Sequence, residues 1–200
     1  MTQAKPVFRP AQVTLKLSFD AGQNGSELKH VLVRDTEGTP DPNPTEGVHA
    51  DSLYFAPGEQ LSVQVRCSGS RESQFDSFQI IDSVFITRPQ VVQRGPNLKT
   101  KYAAPSPFQQ AIGACYPMAL DFFAVDESAG LEPVHGKERV VTQYWKRTLD
   151  IALTPGLWNL SFALTVRITR GPGSVDEVRV FSFDPETEVG GSGTLGRAGP

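Results

Sequence analysis

Hydrophobic residues recur at every second position through several stretches of this chain. In the run VTLKLSF, Val13, Leu15, Leu17 and Phe19 fall on one face. In LSVQVRC, Leu61, Val63, Val65 and Cys67 share a face, with Ser62, Gln64 and Arg66 opposite. The longest case is LWNLSFALTVRI: Trp158, Leu160, Phe162, Leu164, Val166 and Ile168 point one way, and Asn159, Ser161, Thr165 and Arg167 the other. A period of two is that of a half-buried strand, since successive side chains of extended backbone point to opposite faces. Further strands are predicted over 28–34, 78–86, 116–125, 139–152 and 177–183.

Gly- and Pro-rich breakers fall between these runs: DAGQNGS, TPDPNPTEG, APGE, SGSRES, RGPN, TPG and RGPGS. Such residues set turn geometry and stop strands. Eight or nine short strands, each with one hydrophobic face, bury those faces by packing two sheets together. The predicted fold is therefore all-β: a single-domain antiparallel β-sandwich, jelly-roll-like, over residues 1–189. A closed barrel is the alternative. Residues 190–200, GGSGTLGRAGP after Val189, have no apolar anchor and are predicted to be a flexible tail. One short helix is expected in PSPFQQAIG, with Ser106 as N-cap, Pro107 in the first turn, Gln109 closing a capping box and Gly113 ending it.

Composition narrows the function classes. The net charge is −3, and Lys137, Arg139, Lys146 and Arg147 are interleaved with Glu138 and Asp150. This argues against nucleic acid as a partner, which calls for a basic balance or stripe. No apolar run is long enough to span a membrane, and MTQAKPVFRPAQ holds no apolar signal core. A cytoplasmic location is expected. Cys67 and Cys115 are then expected as buried free thiols rather than a disulfide.

The segment DTEGTPDPNPTEGVHAD, residues 35–51, gathers the most polar chemistry. Asp41, Asn43 and Thr45 begin like a calcium-binding EF-hand loop. The glycine comes one place late, Ser52 stands where the bidentate Glu is needed, and prolines occupy the second and fourth places. The segment reads first as a long polar loop between strands. It reads second as a ligand site through Asp41, Asn43, Glu46, His49 and Asp51, Ca²⁺-assisted in one version. No zinc set has ligand spacing, because His30, His49 and His135 are far apart. The formal GxGxxG at Gly191, Gly193 and Gly196 has only four residues after it, too few for the helix that a dinucleotide phosphate needs. There is neither a P-loop nor a GxSxG elbow. No catalytic residue, metal set or cofactor is assigned, and the chain is expected not to be an enzyme. In the weaker enzymatic reading, His49 or His135 would act as base.

Aromatic residues offer another route to function. Trp158 belongs to an apolar strand face. Tyr144 and Trp145 are adjacent, so they point to opposite faces of their strand. An exposed aromatic beside polar groups suits recognition of a glycan or a protein, so both join the candidate ligand-binding residues. The simpler reading puts Trp145 in the core and Tyr144 at the rim.

The order of certain features resembles a known family. VLVRDT ends a strand, PDPNPTEGVHADSLYF follows as a loop, and PGEQLSVQV is a strand after a Pro-Gly turn. Later, LWNLSFALTV precedes the aromatic strand VFSFDPETEV. Across residues 28–190 this is similar to the bacterial inclusion-body proteins of the PixA/AidA type, although residues 88–138 match nothing in it. The resemblance implies a non-catalytic cytoplasmic β-sandwich that self-associates, binds a protein partner or takes a ligand. It carries over no site residues.

Overall fold

The computed structural model describes residues 11–34, 53–70, 72–95, 98–118, 121–126 and 137–190. In chain order the strands are β1 (Gln12–Asp20), β2 (Lys29–Arg34), β3 (Leu53–Phe55), β4 (Gln60–Ser70), β5 (Phe75–Pro89), β6 (Val91–Gly95) and β7 (Leu98–Tyr102). They continue with β8 (Cys115–Pro117), β9 (Phe122–Asp126), β10 (Lys137–Trp145), β11 (Leu149–Asp150), β12 (Gly156–Arg170), β13 (Glu177–Phe183) and β14 (Glu186–Val189). There is no helix among the described residues.

The alternation seen in the sequence builds two packed sheets. One runs β2-β1-β4-β10-β9, with β11 also paired to β4. The other runs β3-β14-β12-β5-β8, with β13 also paired to β12. Most pairs are antiparallel, while β1 with β4 and β3 with β14 are parallel. The two sheets face each other as a β-sandwich and do not close into a barrel. Between them, Phe19 of β1 stacks on Phe181 of β13 at 4.4 Å and meets Phe78 of β5 edge-on at 5.5 Å. The six inward residues of β12, Trp158 to Ile168, are all essentially inaccessible, as are Val13, Leu15, Leu17, Leu61 and Val65. Face-to-face packing of this kind is how a sheet hides one apolar face.

Several predicted elements divide where the tertiary structure bends the chain. The stretch 116–125 becomes β8 in one sheet and β9 in the other. The stretch 139–152 becomes β10 and β11, which share β4 as neighbour. In β5 the inward phase shifts: Phe78 and Ile80 are buried, Ile81 is partly exposed, and Ser83, Phe85 and Thr87 are buried. A bulge opposite Thr165 and Val166 takes up the extra residue, as bulges do when two residues face one. The β6–β7 hairpin and the short strands β3 and β14 were not anticipated. At the start of the predicted Gly-rich tail, the Gly190 amide donates to the Phe55 carbonyl at 3.1 Å. Residues 191–200 lie outside the described residues.

The helix expected at 106–113 does not form. Ser106 accepts the Phe108 amide through its hydroxyl at 3.2 Å, a local turn contact rather than a helix cap. The neighbouring backbone pairs with the chain near Ile151: Gln109 N–H to Asp150 O at 2.8 Å, and Ala152 N–H to Pro107 O at 2.7 Å. Phe108 is thereby drawn into the core against Phe85, with ring centroids 5.2 Å apart. Tertiary hydrogen bonds plus one buried aromatic outweigh a one- or two-turn helix, which is marginal by itself.

Both cysteines are free, but only Cys67 is buried; Cys115 is exposed, contrary to the expectation for it. Burial pushes the Cys67 thiol well above the usual thiol range, and the neighbouring Asp20 carboxylate adds to the effect. The reactive species is the thiolate. A disulfide reagent added to the native protein is therefore expected to titrate Cys115 alone, and to reach Cys67 only after denaturation. Equal reaction of both under native conditions would contradict this packing.

Gly69 of β4 lies under Phe75, so that a Cβ at this position would overlap that side chain. Gly69→Ala is expected to lower stability by about 1–3 kcal/mol, the usual cost of overpacking a core. The check is the midpoint of a urea unfolding curve.

Candidate functional site

The polar segment 35–52 leaves β2 at Arg34 and returns at Leu53, the start of β3. Its candidate residues Asp41, Asn43, Glu46, His49 and Asp51 lie outside the described residues, as does His135. The two ends of the segment are joined. Arg34 donates through Nε to Glu59 Oε1 at 2.8 Å and through its guanidinium to the Tyr54 carbonyl at 2.6 Å. Glu59 is only 4% exposed, and its other oxygen accepts the Ala56 amide at 2.8 Å. The turn Ala56-Pro57-Gly58-Glu59 presents this carboxylate: the Glu59 amide closes onto the Ala56 carbonyl, and Gly58 takes a φ of 79°. Proline then glycine at the centre of such a turn is the type II preference.

The other two candidates are parted by the strand. Trp145 faces inward, buried and edge-on to Tyr116, with ring centroids 6.3 Å apart. Its indole N–H is buried without a hydrogen-bond acceptor. Tyr144 faces outward and is half-buried. Its hydroxyl accepts from Gln64 Nε2 at 3.1 Å, and its ring stacks on Phe123 at 5.6 Å and 25°. The register places Lys16, Gln64, Tyr144 and Phe123 in one row across β1, β4, β10 and β9. These residues, with Thr14 and Ser62, line an open cleft of about 480 Å³, and Lys146 and Trp145 also border it. Phe123 was missed in the sequence. Its signal was the pair Phe122-Phe123 on one strand, where alternation must turn one ring outward.

The second sheet carries a different open surface. β13 pairs with β12 along one side. On its other side, among the described residues, only Ser182 is covered, donating to Ser26 O at 2.8 Å and accepting from Leu28 N–H at 3.0 Å. Alternation along an antiparallel strand points the N–H and C=O of Val178 and Val180 to that same open side. Their side chains are 57% exposed each. The intervening Arg179 turns inward, over the Phe181 ring, and donates to the carbonyls of Gln23 and Gly25.

Comparison with known proteins adds no name to these surfaces: no family model matches the chain, and no curated protein matches it.

The remaining polar side chains mostly hold backbone. Arg170 binds the carbonyls of Ser73 and Ala21, Gln143 that of Phe78, and Trp158 Nε1 that of Ala104 at 2.7 Å. His30 stacks on Phe183 at 4.9 Å, at the margin of the core. Among the described residues no group of three His, Cys, Asp or Glu side chains comes together as a metal site. No helix among them is long and apolar enough to cross a membrane.

The clamp at the loop base makes a stability prediction. Glu59→Gln removes the carboxylate to which Arg34 Nε donates. Removing one partner of a fully buried pair costs more, but Arg34 is 26% exposed, so a loss of about 2 kcal/mol is expected. Chemical denaturation of the variant checks it. An unchanged midpoint would mean that the pair does not hold the corner.

Proposed function

We propose that this chain is a non-enzymatic β-sandwich protein that works by associating with copies of itself. The observation carrying the reading is the edge of β13, open at Val178 and Val180 among the described residues. The strand holds neither Pro nor Lys, common devices that keep a strand edge from recruiting another, and its charged residues Glu177 and Arg179 are paired with each other. A second β13 can add antiparallel, with Val178 of each copy opposite Val180 of the other. Each such pair exchanges both of its backbone hydrogen bonds, and four valines come side by side on the outer face. The interface is isologous and closes on itself as a two-fold dimer.

Two further observations support this reading. Arg34, Gln143, Arg170 and Arg179 are spent on holding backbone carbonyls, which favours a structural role over a catalytic one. The unpaired Cys67 and Cys115 suit a reducing compartment such as the cytoplasm. The resemblance to the inclusion-body proteins points the same way, since self-association is what that family would imply. A protein partner that donates a strand to the same edge is the related alternative.

The experiment is light scattering on a sizing column across a range of concentrations. The wild type is expected to show a dimer that dissociates on dilution. Val178→Lys with Val180→Lys removes about 3 kcal/mol of valine burial from the pair, and so weakens it by roughly a hundredfold. Val180→Pro, which deletes the edge donor, should act likewise while far-ultraviolet dichroism stays that of a folded β protein. A wild type that is monomeric at every concentration ends the self-association reading.

A further inference from the structure

We infer that the outer face of the first sheet binds an acidic oligosaccharide, a pyranose chain bearing carboxylates, packed on the exposed Phe123 ring beside Tyr144. This is independent of the β13 edge, which belongs to the other sheet.

The geometry supplies the two things a sugar needs. A pyranose ring has one face of C–H bonds, which packs on an aromatic face, and a rim of hydroxyls, which need hydrogen-bonding partners. The Phe123 and Tyr144 rings stack with centroids 5.6 Å apart and planes 25° from parallel, so each covers one face of the other and the surface left for a sugar is the exposed remainder of Phe123. Phe123 is 44% exposed on β9, a strand whose one neighbour among the described residues is β10. The Gln64–Tyr144 hydrogen bond orients the tyrosine ring and fixes the amide beside it. Two hydroxyls, Thr14 and Ser62, stand along the same cleft. Residues on sheet strands hold such a platform in place better than loop residues do.

Charge selects among sugars. Among the described residues Lys16 and Lys146 border the cleft, and no Asp or Glu does. The chain as a whole carries a net charge of −3, so this is a local reversal of sign. Neither lysine is in an ion pair among the described residues. Two ammonium groups beside an aromatic platform suit a saccharide with carboxylate substituents; neutral chains forgo that attraction. The cleft, about 480 Å³ and open to solvent, has the size of a small-ligand site and leaves the ends of a longer chain free.

The test is titration of the full chain with oligogalacturonate and, separately, with cello-oligosaccharide, read by calorimetry. Oligogalacturonate is expected to bind, with affinity falling as salt is added. Phe123→Ala should weaken binding by about tenfold or more, the loss of one stacking surface. Lys16→Glu, a change at an exposed side chain, should weaken it by a similar factor without altering the thermal midpoint. The Phe123 variant is accepted only if its unfolding remains cooperative, and Lys16→Glu keeps the proposal falsifiable if it is not. Failure of both sugars to bind at millimolar concentration overturns the inference. So does equal binding of the neutral chain with no effect of Lys16→Glu, and so does binding that survives both substitutions.

Discussion

The structure hangs on the inner face of β12. This strand is paired along nearly its whole length on one side by β5, and on the other by β14 and then β13. Every second side chain from Trp158 to Ile168 is sealed between the sheets. Phe162 touches both Phe85 and Phe183, joining its two neighbouring strands through one ring. A register slip of one residue would turn six large apolar side chains to water and bring Asn159 and Arg167 into the core, which specifies the register strongly. The bulge in β5 is subordinate to this: β12 stays regular, and its partner absorbs the extra residue.

Side-chain ties to backbone do a second job. Loops cannot satisfy their carbonyls by strand pairing, and buried carbonyls must be paired. Arg170 and Arg179 bind the carbonyls around Gly22–Gly25, and Arg34 binds that of Tyr54. Arginine suits this use because its planar fork offers several donors at fixed angles. The same ties explain why clustered charges in the sequence are poor guides to chemistry here. Arg170, Glu177 and Arg179 border a polar cleft of about 320 Å³ with Ala21–Asn24, yet both arginines are already engaged by loop carbonyls. They are the mortar of that corner and not an anion site.

The two sheets expose unlike outer surfaces. One presents an aromatic pair among amides, hydroxyls and lysines. The other presents, among the described residues, a strand edge left unpaired at Val178 and Val180. An edge offers backbone hydrogen bonds and therefore favours another strand; a flat aromatic face offers no backbone and favours a ligand with an apolar face of its own. Because the surfaces lie on opposite sheets, occupation of one does not sterically exclude occupation of the other.

The sequence by itself determined the class of fold and most of the core. Period-two alternation is a local property, so the inward residues of β1, β4 and β12 could be read without knowing any partner. The opposite orientations of Tyr144 and Trp145 were legible for the same reason. What alternation cannot convey is which strands are neighbours. Whether 116–125 is one strand or two depends on a crossing between sheets, and the inward phase of β5 depends on a bulge dictated by β12. The propensity for a helix at Ser106–Gly113 was real but worth little against the tertiary pairing with Asp150–Ala152. The candidate surfaces divide in the same way. A lone tyrosine was visible in the chain, but its platform needs Phe123 from a strand some twenty residues earlier, and Gln64 and Lys16 from two more strands. Only the packed sheet brings side chains so distant in sequence into one row, because lateral register is set by long-range contacts and not by any local pattern.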